Sequence, residues 1–341
     1  MPQLRKDPIV NRWVIISPER AKRPQPGRIE REPAQPGPCP FCTGNEAMTP
    51  PELLAYRGDP CQANLPGWTL RVVPNKFPAV ISGGIVDLHT DGIYHSLDGL
   101  GAHEVIIETP QHEVSMACLS ETQFSDILRA YRERALDVCR DKRLRHVLIF
   151  KNQGIAAGTT LEHTHSQLLA LPIVPQIISE ELAGAREYYE REKHCIFCHI
   201  IQRESEQRYR IVAESQHFVV LCPFAPRVAF ETWLLPKRHS PGFEHATEAE
   251  YPDLALALRQ TLLQLKHALD DPPFNYIIHS NQLEEIANDY YHWHIEILPR
   301  LSQLAGFEWG SGFYINLVAP EEAARALRPS TSSSPSGRRK G

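Results

Sequence analysis

Short runs of branched and aromatic residues alternate along this chain with two long stretches of helical period. Residues 11–17, 69–73, 103–108 and 146–150 read as strands, because their apolar runs are too short for helices. Residues 121–141 instead place Phe124, Ile127, Leu128, Tyr131, Ala135 and Val138 at helical spacing, with Ser120 and Gln123 as a capping box. Further on, 179–194 reads as a helix, 217–221 and 232–235 as strands, Glu248 to Leu269 as a long helix, and 274–279 and 292–298 as strands. Between these lie a loop with five prolines at 24–38 and a polar, Gly-containing connection reaching about residue 101. The Ser/Pro/Gly-rich tail 329–341 is expected to be disordered.

The order of these elements repeats. Each half runs from a C-x-x-C pair through strands, a His after a strand, a long helix and another strand to an H-x-H motif. A period of roughly 150 residues is too long for a solenoid unit and indicates a duplicated domain. The expected division is a first module at 1–178, a second at 179–328, and the tail.

In the first half the H-x-H motif follows a loop of Gly and small residues, Asn152 to Thr160, and continues as His163-x-His165-x-Gln167. On a strand, a period of two puts these three side chains on one face. Cys39 and Cys42 can take adjacent corners of a tetrahedral zinc, with His112 and His163 as candidate partners; Cys195 and Cys198 have His239 and His292. His103 and His279 compete with His112 and His239 on sequence grounds. A thioredoxin-type redox pair would open a helix after a strand, whereas Cys39 follows a proline-rich loop. A single all-cysteine site joining the pairs has nothing local in its favour.

With His163 assigned to metal, His165 is free for chemistry. A neutral imidazole nitrogen can attack phosphorus, and the resulting phosphoramidate is reactive enough to pass the group on. No Walker loop or carboxylate cluster is present to hold catalytic magnesium. Arg20, Arg23, the backbone amides of the 153–160 loop and Gln167 are the candidates to meet the phosphate charge. The second H-x-H has Glu296 where Gln167 stands and Ile295 for Ser166. A carboxylate there repels phosphate, so one nucleophile per chain is expected.

These motifs resemble the galactose-1-phosphate uridylyltransferases, the duplicated branch of the histidine-triad superfamily, over nearly the whole chain. The resemblance implies an α+β fold of two histidine-triad-like modules, each an antiparallel sheet with a long helix, and a homodimer. It implies ping-pong transfer of UMP from UDP-glucose to galactose 1-phosphate, with His165 as nucleophile and Gln167 bonding the transferred phosphate. By position, Cys39, Cys42, His112 and His163 match the family's zinc site. Arg20, Arg23, Asn75, Asn152 and Thr160 fall where the family contacts nucleotide and phosphates. Some members hold iron at a second site; those positions here are Glu181, His279, His292 and His294. The pair Cys195 and Cys198 with His239 instead resembles the zinc version of plant ADP-glucose phosphorylase, which transfers AMP from ADP-glucose to phosphate. Zinc at both sites is the expectation. Thr164 and Ser166 depart from the usual Pro and Gly of the uridylyltransferase motif, which leaves the base open.

Composition narrows the alternatives. A net charge of -5 provides no basic field for nucleic acid. No run of residues is long and apolar enough for a signal peptide or a membrane span, which makes the cytoplasm the default. A nucleotide-binding module without turnover and a dinucleoside-polyphosphate hydrolase are the rival functions. Retention of His165, Gln167, Arg20 and Arg23 together argues against the first.

Overall fold

The computed structural model describes residues 2–19, 37–58, 62–113, 115–281, 283 and 288–329. In chain order the strands are β1 (Gln3–Lys6), β2 (Trp13–Ile16), β3 (Leu54–Arg57), β4 (Trp68–Pro74), β5 (Leu88–Asp91), β6 (Tyr94–Leu97), β7 (Ala102–Ile107), β8 (His146–Gln153), β9 (His165–Leu171), β10 (Ile211–Glu214), β11 (Phe218–Leu221), β12 (Thr232–Pro236), β13 (Phe274–His279), β14 (His294–Pro299) and β15 (Tyr314–Asn316). The helices are α1 (Glu121–Val138), α2 (Gln176–Glu192), α3 (Ile196–Gln207), α4 (Tyr251–Leu269), α5 (Gly306–Ser311) and α6 (Pro320–Leu327).

Ten strands form one sheet in the order β3-β4-β7-β9-β8-β13-β14-β12-β11-β10, and every neighbouring pair is antiparallel. The two halves meet where β8 pairs with β13, from Phe274 opposite Gln153 to Ile278 opposite Ile149. Reading outward from that seam, β9 corresponds to β14, β7 to β12, β4 to β11 and β3 to β10. The fold is α+β with the expected duplication. It is one continuous sheet rather than two, because the seam strands satisfy each other's edges.

Both long helices cover the same face. The capping box of Ser120 and Gln123 forms, and all six apolar positions expected of α1 are buried. With Leu254, Leu258, Leu262 and Leu265 of α4 they build the main core against the inward residues of the sheet, such as Leu168, Ala170, Ile149, Ile278 and Ile297. Each such side chain contributes roughly 2 kcal/mol by burial. The opposite face is closed in each half by the segment carrying the cysteine pair. Phe41 packs with Trp68, Val73, Val105 and Ile107, and Phe197 with Val219, Leu221, Trp233 and Tyr291.

Several elements lie outside the sequence expectations. The connection before residue 101 contains the exposed hairpin β5–β6. Helix α3 begins directly after Cys195, so the second cysteine pair opens a helix while the first sits in turns. Strand β2 pairs in parallel with β15, which ties the N-terminal segment to the second half. No helix among the described residues is long and apolar enough to cross a membrane.

Candidate active site and metal centres

Cys39, Cys42, His112 and His163 converge, with one ligand atom from each within 4.8 Å of all the others. Sγ of Cys42 lies 3.4 Å from Nδ1 of His112 and 3.6 Å from Nδ1 of His163, and Sγ of Cys39 lies 3.6 Å from the latter. A tetrahedral zinc with ordinary Zn–S and Zn–N bonds sets that separation at about 3.6 Å. Nε2 of His163 donates to the carbonyl of Thr109 at 2.8 Å, which leaves Nδ1 unprotonated for a metal. Burial pushes His163 down to about 4, so it stays neutral. Burial and the neighbouring Cys39 push the Cys42 thiol up to about 11.

Cys195, Cys198, His239 and His292 form the matching group. Sγ of Cys198 is 3.5 Å from Nδ1 of both His239 and His292, and Nε2 of His292 donates to the carbonyl of Pro236 at 2.8 Å. Cys195 lowers the Cys198 thiol by hydrogen bonding against burial, and His239 and His292 add to the effect. Both groups can bind metal. The rival histidines are placed elsewhere: His103 lies beside Gln167, and His279 beside Glu181. The four positions of the iron alternative do not gather, since His292 stands with the cysteines while Glu181, His279 and His294 form their own cluster.

His165 opens β9, with Gln167 on the same face. Its Nδ1 donates to the carbonyl of His163 at 2.8 Å, which fixes the tautomer and leaves a lone pair on Nε2. Burial lowers its pKa, and the charge of Lys151 adds to that, so the ring is neutral at pH 7. An edge contact with Phe41, centroids 5.2 Å apart, limits its rotation.

Gln167 is oriented by His103, which on sequence grounds competes with His112 for the first metal site. The amide N–H of Ala79 donates to Nδ1 of His103 at 3.0 Å, so Nε2–H of His103 donates to Oε1 of Gln167 at 2.8 Å. Asn75 donates to the same oxygen at 3.4 Å, leaving the NH2 of Gln167 as the outward donor. The sequence marks His103 only as a rival ligand to His112, and nothing local in it points to Gln167.

Asn152 is held from the second half. Nδ2 of Asn275 donates to its Oδ1 and to the carbonyl of Ala157, both at 2.8 Å, and Nε of Arg300 donates to Oδ1 of Asn275 at 2.5 Å. The following loop is not the row of bare amides expected. The N–H groups of Ala157, Gly158 and Thr159 are spent on the carbonyls of Gly154 and Ile155, because Gly154 (φ 83°) and Gly158 (φ 92°) wind it into a 3-10 turn. Thr160 stands exposed at its end. Arg20 and Arg23 lie outside the described residues.

The second half closes its equivalent site. Nδ1 of His294 meets the carbonyl of His292 at 3.1 Å, as in the first half, but its Nε2 faces Glu181 at 3.4 Å and the ring is fully buried. Glu296 is ion-paired with Arg227 and with His279, so its carboxylate is neutralised internally rather than presented to an incoming phosphate.

Two cysteine–histidine centres on a duplicated α+β scaffold, with a tautomer-fixed histidine beside the first, suit a nucleotidyltransferase-type enzyme, and the similarities to known proteins support that class. The family model described as galactose-1-phosphate uridyl transferase, N-terminal domain, matches residues 1–175, and its C-terminal counterpart matches 181–305; the chain belongs to that family. It is 39% identical over 336 residues to ADP-glucose phosphorylase of Arabidopsis thaliana, covering 96% of this chain and 92% of the relative. It is 28% identical over 339 residues to the galactose-1-phosphate uridylyltransferase of Thermotoga maritima, covering 96% and 98%. Among solved structures, the Arabidopsis thaliana ADP-glucose phosphorylase with bound ADP-glucose superposes with a TM-score of 0.82 at 36% identity, covering 96% of this chain and 99% of that one. A uridylyltransferase structure gives 0.74 at 27%, covering 96% and 97%.

Proposed function

We propose that this chain transfers a nucleoside monophosphate from a nucleoside diphosphate hexose to a phosphate acceptor through His165. The observation that carries the reading is the tautomer lock: Nδ1 of His165 is committed to the His163 carbonyl, and Nε2 has no partner among the described residues. The Nε2 lone pair attacks the α-phosphorus, the P–O bond to the β-phosphate breaks, and the hexose 1-phosphate leaves with those electrons. An acceptor phosphate oxygen then attacks the same phosphorus, and the P–N bond breaks. The NH2 of Gln167 and the Asn152 side chain face the phosphates, with Arg20, Arg23, Asn75 and Thr160 as further contacts. Both cysteine–histidine centres take structural zinc: four donors leave no open position, and Nδ1 and Sγ are spaced as a tetrahedron needs.

ADP-glucose as donor and inorganic phosphate as acceptor are the favoured pair. Identity and structural similarity to the ADP-glucose phosphorylase both exceed those to the uridylyltransferases. UDP-glucose with galactose 1-phosphate, the first expectation from the motifs, is the second reading, supported by the two family models that match one half each. Exposed Phe77, Ile85, Ile93 and Tyr94 around the β5–β6 hairpin support a homodimer.

The deciding experiment incubates the protein with α-labelled ADP-glucose or UDP-glucose without acceptor and scores acid-labile label on the chain. Label from ADP-glucose, absent in His165→Ala, is expected. Label from neither donor sinks covalent transfer, and label from UDP-glucose alone restores the uridylyl reading.

A further inference from the structure

Beneath the nucleophile, on the helix-covered face of the sheet, lies an ion pair with no exposed atoms. Lys151 of β8 and Glu108, just after β7, have side chains that are 0% accessible, and Nζ donates to Oε2 at 2.7 Å. The other two ammonium protons go to Oγ1 of Thr164 at 2.8 Å and to the backbone carbonyl of His165 at 2.9 Å. Every donor of the lysine is therefore used. Thr164 in turn donates to Oε2 of Glu108, and Ser166 donates to Oε1. The Tyr131 hydroxyl from α1 meets Ser166 and the Tyr276 hydroxyl from β13.

Strand alternation explains the arrangement. His165 and Gln167 face outward, so the residues between and before them, Thr164 and Ser166, must face inward. Their hydroxyls join β7, β8, β9, α1 and β13 at one point. A charged pair is costly to bury, and an apolar pair of similar volume would stabilise the core at least as well. What Lys151 and Glu108 add is position: a three-pronged hold on both sides of one backbone carbonyl, that of His165.

We propose that the Lys151–Glu108 pair, acting through the hydroxyls of Thr164 and Ser166 and the carbonyl of His165, sets the position of His165 for attack, and that Thr164 and Ser166 do not read the base. The inference rests on His165 being the nucleophile. Lys151, Glu108, Thr164 and Ser166 are positioning residues, since none of them lies on the face that carries His165 and Gln167.

The test uses the full metal-loaded chain and compares Thr164→Val, Ser166→Ala and Lys151→Met/Glu108→Leu with Thr164→Ser, which keeps the hydroxyl. The single variants delete one hydroxyl each and cover the case in which the double variant does not fold. Amide exchange of residues 163–169 is followed by mass spectrometry, alongside metal content, the single-turnover labelling rate from ADP-glucose and UDP-glucose, and the donor KM. Expected are about tenfold faster exchange confined to that segment and labelling slowed roughly 10- to 100-fold. Donor KM and the ratio of the two donors should stay within about twofold, metal content should be unchanged, and Thr164→Ser should behave as wild type. Unchanged exchange in folded variants overturns the clamp. A donor KM that rises at constant labelling rate, or an inverted donor ratio in Thr164→Val or Ser166→Ala, assigns these residues to substrate instead and also overturns it. If the wild type takes label from neither donor, the transfer reading fails on its own, and the exchange data still decide whether the clamp exists.

Discussion

Asn275 donates its side-chain amide to Oδ1 of Asn152 across the seam between the two halves, at 2.8 Å and in register on β13 and β8. A residue of the module without a free nucleophile thus holds a candidate phosphate contact of the module that has one. Arg300 fixes Asn275 in turn, and the same Asn275 amide closes the turn at Ala157.

Asn275→Ala should therefore act on transfer although it lies in the second half. The lost hydrogen bonds predict a drop in kcat/KM of about tenfold, on the order of 1.4 kcal/mol. Metal content should be unchanged. Steady-state kinetics with elemental analysis checks this, and wild-type kcat/KM would remove Asn275 from the site.

His103→Phe should release Gln167. The amide of Gln167 then loses the donor that orients it, and labelling should slow by roughly tenfold, against 10²- to 10³-fold for Gln167→Ala. In the double variant the losses should not add, because His103 works only through Gln167. Additive losses would place His103 on the substrate.

Each cysteine–histidine centre should account for one zinc. Elemental analysis of the whole chain should give about two equivalents, falling to about one in Cys42→Ser and in Cys198→Ser, with a lowered Tm in both cases. Iron in place of zinc would direct attention to the cluster of Glu181, His279 and His294.

Two buried histidines should shape stability against pH in opposite directions. Burial holds His146 down at about 4, and the charge on His279 adds to this. Between about pH 6.5 and 4 the unfolded chain takes up a proton that native His146 refuses, so stability falls as pH falls through that window. For His279, burial opposes protonation, but Glu296 and Glu181 outweigh it and hold the ring charged up to about 10. Its contribution is complete below about 6.5 and is lost as pH rises toward 10. The slope is roughly 1.4 kcal/mol per pH unit for each group. Urea unfolding from pH 4 to 9 should show an acid limb that flattens in His146→Leu; an unchanged limb would contradict the assignment.

Much of this was legible in the sequence. The two long helices, the strands beside them and the duplication follow from local periodicity, because a helix or strand advertises its buried face at 3.6 or 2 residues. The two C-x-x-C pairs and the H-x-H motifs were readable for the same reason, since their chemistry is compact in sequence. Short edge elements such as β3, β10 and β15 were not, because three or four residues carry too little pattern.

What the sequence determined by itself was the set of chemically capable residues and the alternation that turns His165 and Gln167 one way and Thr164 and Ser166 the other. Which histidine joins which pair was decided by tertiary structure. His112 and His103 lie nine residues apart, yet only the fold carries one to the cysteines and the other to Gln167. The partners of the inward hydroxyls, Lys151 on β8 and Glu108 just after β7, come from separate parts of the chain, as do Asn275 and Asn152. Such groups meet only when antiparallel pairing sets strands side by side in register, and that register depends on contacts between residues distant in the chain.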